Sequence, residues 1–126
     1  MGYSYDTNNV FAKILRREIP NKTVLETEHS LAFEDIDPQA PVHVLVIPKG
    51  SYVSLDHFTQ EASDAEIVDF NRAIGEVCKI TGVQASSEGN GFRAIANTGE
   101  DGLQDVPHLH VHILGGRRLG RMLVKT

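Results

Sequence analysis

Residues 108–114 read HLHVHIL, and this alternation of imidazoles with aliphatics decides how the rest of the chain is read. Along a β-strand, side chains two positions apart share a face. His108, His110 and His112 therefore point one way, while Leu109, Val111 and Ile113 point into a core. Half of the 6 histidines sit in these five positions, an arrangement that chance produces about once in a hundred such chains.

The cluster has three chemical readings. In the first it only decorates a solvated strand face. In the second, neutral imidazoles bind zinc, with His43 or His57 as a further donor; but alternate strand residues are about 6.6 Å apart, which puts the outer histidines about 13 Å apart at their backbones and strains joint chelation. In the third, the middle histidine is a nucleophile. Neutral imidazole is available near pH 7, attacks phosphorus, and forms a phosphoramidate that water can cleave. Flanking histidines then fix its tautomer and donate to the phosphate or the leaving atom. The preceding stretch TGEDGLQDV, residues 98–106, is too polar and glycine-rich for regular structure, and its backbone N–H groups can approach a phosphate.

Working outward, Val10, Phe11, Ile14 and Leu15 recur at helical spacing after candidate caps Thr7 and Asn8, and Pro20 ends that short helix. Residues 22–27, 31–35 and 42–47 read as strands of an antiparallel meander, with the two prolines of DPQAP forcing a turn. Ser63 and Glu66 form a capping-box pattern. Ile67, Phe70, Ile74, Val77 and Cys78 then share one face of a long helix that Gly82 ends. Residues 92–97 and 108–114 supply two more strands. The expected fold is α+β, a five-stranded antiparallel sheet with a short N-terminal helix and one long helix. It forms a single domain over residues 1–126, with a core of about 10–116 and a tail at 117–126.

Composition narrows the function classes. With 40% hydrophobic residues in 126, the chain can build its own core. A net charge of −5 argues against coating nucleic acid or an anionic membrane. No apolar run reaches the roughly 20 residues that span a bilayer, and the opening MGYSYDTNN lacks the charge and hydrophobicity of a secretory leader. The lone Cys78 fits a reducing compartment, so a cytoplasmic location is expected.

Four separated stretches resemble the histidine triad family. HLHVHILGG (108–116) matches its triad signature, while FAKILRREIP (11–20), AFEDIDPQAPVHVLVIPK (32–49) and GGRRLGRML (115–123) resemble its Hint branch, bacterial members above all. The resemblance implies hydrolysis of purine nucleoside 5′-phosphoramidates, such as adenosine 5′-monophosphoramidate or adenylated lysine, through a nucleotidyl-histidine intermediate. It implies no metal or other cofactor. It makes His110 the nucleophile and His112 the donor to phosphate or leaving group, with His108 and His43 orienting the triad. Asp35 would accept from the ribose hydroxyls. Phe11, Ile14, Ile19, Phe33 and Ile36 would line the base pocket, and Asn97, Gln104 and the backbone at Asp105 and Val106 would surround the phosphate.

A homodimer joined edge to edge is also implied, with the basic tail reaching toward the partner's site. Three positions depart from the family pattern: Leu103 follows Gly102 where relatives often have two glycines, Asp105 stands where many have serine, and Pro107 replaces a common tyrosine. The same His110 chemistry could instead serve a dinucleoside polyphosphate hydrolase or a nucleotidyl transferase. From other classes come a zinc-binding protein and a non-catalytic nucleotide-binding regulator.

Overall fold

The computed structural model describes residues 2–86 and 88–124. Helix α1 (Val10–Leu15) is followed by strands β1 (Thr23–Glu26), β2 (Ser30–Glu34) and β3 (Val42–Pro48), helices α2 (Leu55–Glu61) and α3 (Asp64–Thr81), and strands β4 (Phe92–Ala96) and β5 (Val111–Gly115). The strands form one antiparallel sheet in the order β1-β2-β3-β5-β4.

The pleat sorts the apolar residues onto two faces. Val44 and Val46 of β3 join Val111 and Ile113 of β5 against Phe70, Ala73, Val77 and Cys78 of α3. Leu45 and Ile47 face the other way, with Leu31 and Phe33 of β2, and α1 covers them through Phe11 and Ile14. Leu45 is the register partner of His112. Paired residues share a face, so the sheet's pleat puts the imidazole of His112 on the α1 side.

The long helix begins and ends as its sequence dictates. Ser63 and Glu66 form the reciprocal capping box, and Gly82 caps the C-terminus at φ 76°, the left-handed region that glycine enters without steric cost. Asp69 of α3 accepts from Thr27 Oγ1, Ser30 Oγ and the His29 N–H at 2.7, 2.8 and 3.2 Å, tying the β1–β2 turn to the helix.

Three sequence expectations are corrected. Among the described residues there are three helices, because the seven-residue α2, capped by Ser54, is too short to show a period. The cap of α1 is Asn9, whose side chain accepts from Ala12 N–H, in place of Thr7 or Asn8. Strand β5 starts at Val111 because the chain before it bonds elsewhere: Leu109 N–H donates to the Tyr52 carbonyl and His108 N–H to that of Val106.

The two sheet edges differ. Strand β1 has a register shift between Thr23 and Leu25 and carries the exposed Lys49–Glu26 pair beside it. Strand β4 pairs in unbroken register with β5, among the described residues on that side only, and its Phe92 is 43% exposed. Arg93 reaches from β4 to the carbonyls of Gly120 and Arg121, holding the tail at these two residues. The tail's last two residues, Lys125 and Thr126, lie outside the described residues. Among the described residues no helix is long and apolar enough to cross a membrane.

Candidate active site

Between α1 and the sheet lies a cleft of about 310 Å³ with Phe11, Ile14, Ile19, Phe33, Leu45 and Val106 as its apolar walls. Its polar lining is Asn21, Asp35, Asp105, His110 and His112, with the exposed Glu34 and Asp37. Ile36, fully exposed, stands at its mouth. Among the described residues no lysine or arginine lines this cleft. Of the larger grooves, one beside Gly82 and Arg117 and one beside Arg17 and Lys49 lie away from the triad, while another, of about 500 Å³ beside Lys22, shares Asp35 and Ile36 with the cleft.

The hydrogen-bond partners of each imidazole assign its tautomer. A carbonyl only accepts, so His108 Nε2, 2.8 Å from the Pro48 carbonyl, carries the hydrogen, and His108 Nδ1 accepts from the Tyr5 hydroxyl at 2.6 Å. Burial pushes the pKa of His108 down to about 4, so this ring is neutral at pH 7. By the same rule His110 Nδ1 donates to the His108 carbonyl at 2.7 Å. In the neutral ring the lone pair then sits on Nε2, which lies 3.4 Å from Asp105 Oδ1.

A second chain of bonds fixes His112. The Gln39 N–H donates to His43 Nδ1 at 3.0 Å, so His43 Nε2 carries the hydrogen and donates to His112 Nδ1 at 2.9 Å. Asp35 Oδ2 lies 3.3 Å from the same His43 nitrogen. His112 Nε2 is consequently an N–H donor, buried without a partner among the described residues. Burial and then the neighbouring His110 and His43 push the His112 pKa down to about 4. Leaving a buried donor unmatched costs about 1–3 kcal/mol, which an acceptor entering the cleft would recover.

The other expected residues divide clearly. His43 and His108 sit behind the lining and orient it. Asn97, just past β4, and Gln104 do not line the cleft. The Gln104 amide is already committed, donating to the carbonyls of Val53 and Val106 at 2.6 and 3.0 Å and accepting from Gly99 N–H at 3.1 Å. Within the loop the N–H groups of Gly102, Leu103 and Gln104 are also used. Those of Asp105 and Val106 have no such partner among the described residues. Sequence reasoning missed Tyr5, Gln39 and Pro48. Two of them act through backbone groups and the third from 103 positions away, so no motif marks them.

The metal alternative takes a different shape from the one expected. His57 belongs to α2, accepts from Val53 N–H and stacks on Tyr3, away from the triad. One ligand atom each from Asp35, His43 and His112 lies within 4.8 Å of the others. Yet a proton already bridges His43 and His112 at 2.9 Å, closer than the roughly 3.3 Å that two nitrogens 2.0–2.1 Å from a tetrahedral zinc keep. An ion would have to break that bond and spread the rings.

Comparison with known proteins agrees with this architecture. The family model described as HIT domain matches residues 16–119. A 13.2 kDa HIT-like protein of Azospirillum brasilense is 57% identical over 125 residues, 99% of each chain. The purine nucleoside phosphoramidase of Escherichia coli K12 is 41% identical over 114 residues, 90% of this chain and 92% of that one. The solved structure of a histidine triad protein from Clostridium difficile superposes with a TM-score of 0.78 at 38% identity, covering 94% of this chain and 98% of the other.

Proposed function

The chain belongs to the HIT domain family, in its Hint-like branch, and from that membership we propose that it hydrolyses purine nucleoside 5′-phosphoramidates to the nucleoside monophosphate and an amine. One observation carries the reading. The His108 carbonyl takes the Nδ1 hydrogen of His110, so in the neutral ring the lone pair sits on Nε2, and His110 lines the cleft beside His112, whose Nε2–H has no partner among the described residues.

His110 Nε2 attacks the α-phosphorus, and the P–N bond to the amine breaks. The departing nitrogen takes a proton from the solvent-open mouth where Asp105 stands, while His112 Nε2–H and the N–H groups of Asp105 and Val106 hold the phosphate oxygens. Water then attacks the same phosphorus. It loses a proton to solvent as the P–Nε2 bond breaks, which returns His110 to its starting form. The apolar walls from Phe11 to Phe33 hold the base, and Asp35 accepts from the ribose.

The carboxylates around the cleft favour this substrate over dinucleoside polyphosphates, whose extra negative charge they repel. The proposal includes a cytoplasmic homodimer paired through β4, whose open edge supports it. Steady-state hydrolysis of adenosine 5′-phosphoramidate, with and without chelator, is the test. Turnover unaffected by EDTA is expected. Loss with EDTA and recovery with zinc would transfer the assignment to the Asp35, His43 and His112 cluster as a metal centre.

A further inference from the structure

The segment before α1 is irregular, yet it is fastened at several points behind the triad. The Asn9 amide donates to the Asp6 carbonyl at 2.7 Å while its oxygen accepts from Ala12 N–H at 2.9 Å, and Arg16 donates to the Thr7 carbonyl at 2.9 Å. Tyr3 stacks on His57 with ring centroids 4.4 Å apart, and its hydroxyl donates to Asp56 at 2.8 Å. Between these anchors lies Tyr5, half-buried, its ring edge-on to His108 at 5.5 Å.

We propose that Tyr5 is a positioning residue for His110: its hydroxyl, donating to His108 Nδ1, holds the residue whose carbonyl fixes the His110 tautomer and aims Nε2 into the cleft. The inference rests on His110 being the nucleophile. His108 is anchored at both ring nitrogens, by Tyr5 and by Pro48, and at its N–H by the Val106 carbonyl. Removing one ring anchor leaves a buried lone pair unmatched and frees the ring to tilt. The His108 carbonyl shares that residue's backbone and moves with it, loosening the 2.7 Å bond to His110. Tyr5 does not line the cleft, so its loss should leave substrate affinity unchanged.

The test compares the wild type with Tyr5→Phe, which keeps the ring, and with Tyr3→Phe, which removes a hydroxyl from the same segment but not from His108. Imidazole ¹⁵N spectra, thermal unfolding and kinetics with adenosine 5′-phosphoramidate are recorded for each. Tyr5→Phe should shift the His108 Nδ1 resonance toward that of an unbonded nitrogen and give His110 a mixed tautomer. It should lower kcat about three- to tenfold, the worth of one hydrogen bond, with KM within about twofold. Tyr3→Phe should leave kcat and the His110 spectrum unchanged. Equal losses in both variants overturn the proposal, as does a Tyr5→Phe protein with lowered Tm but wild-type kcat and His110 tautomer. If the wild type fails to turn over, the nucleophile assignment fails. The nitrogen spectra still decide the positioning claim, which an unchanged His110 ring in Tyr5→Phe refutes.

Discussion

His110 has one ring nitrogen left over because its other nitrogen is committed to a backbone carbonyl, and His112 has one N–H to offer because His43 occupies its far side. The two rings meet edge to face at 5.0 Å, close enough to serve one phosphorus. Replacing His110 with Ala should lower turnover below about 1% of wild type while nucleotide binding persists, since losing a covalent nucleophile costs orders of magnitude. Residual activity above that level excludes His110 as the sole nucleophile. The corresponding His112→Ala loss should be smaller, because a hydrogen bond disappears and the attacking atom stays. Asp105, 81% exposed at its side chain and facing Nε2 of His110, should discriminate between leaving groups. The kcat/KM for adenosine phosphoramidate should exceed that for diadenosine polyphosphate by at least about tenfold, roughly 1.4 kcal/mol. That ratio should narrow in Asp105→Asn; equal preference in the wild type at the same ionic strength rejects the electrostatic argument.

At the scale of elements, the sequence was most legible where burial imposes a period. The alternation in β3 and β5 and the apolar face of α3 each follow from one buried side, and the capping box and Gly82 marked the ends of α3. What stayed hidden lacked a period. Helix α2 contributes one fully buried apolar residue, Phe58. The loop before the triad is held by the Gln104 amide, whose three bonds no spacing announces. That loop contains adjacent positions with opposite demands. A Cβ on Gly102 would stand 2.6 Å from the Thr98 carbonyl oxygen, while Leu103 sits at φ 54° and is 83% exposed. A left-handed conformation costs a non-glycine residue about 1–2 kcal/mol, offset in part by the entropy glycine loses on folding. Gly102→Ala should therefore destabilise the protein, and Leu103→Gly should be neutral or stabilising by up to about 1 kcal/mol. Urea midpoints measured side by side decide it; matching shifts of one sign would show that the loop does not impose these conformations.

For the whole molecule, the histidines couple chemistry to stability. Unfolded histidines titrate near 6.5, whereas His108 and His112 are pushed down to about 4 in the folded chain. Between those values the unfolded chain binds protons that the folded chain refuses. Stability should fall as pH drops through this window, and below it the loss from these two residues should be complete and no longer change with pH. Fully buried His108 alone should remove about 3 kcal/mol across the window. Urea midpoints that stay constant from pH 7 to 4.5 would contradict the burial of these rings. The sequence conveyed the sheet and the triad because both repeat. It was silent on the Tyr5 and Gln39 contacts because these join distant points that only the closed fold brings together. The contrast between the two sheet edges reaches beyond geometry. If the proposed homodimer covers β4, folding is tied to association, and each tenfold rise in protein concentration adds about 1.4 kcal/mol per mole of dimer to the free-energy difference from unfolded chains. The melting temperature should rise with concentration, and a dilute sample should unfold under conditions that a concentrated one survives. Dilution then acts as a denaturant in its own right.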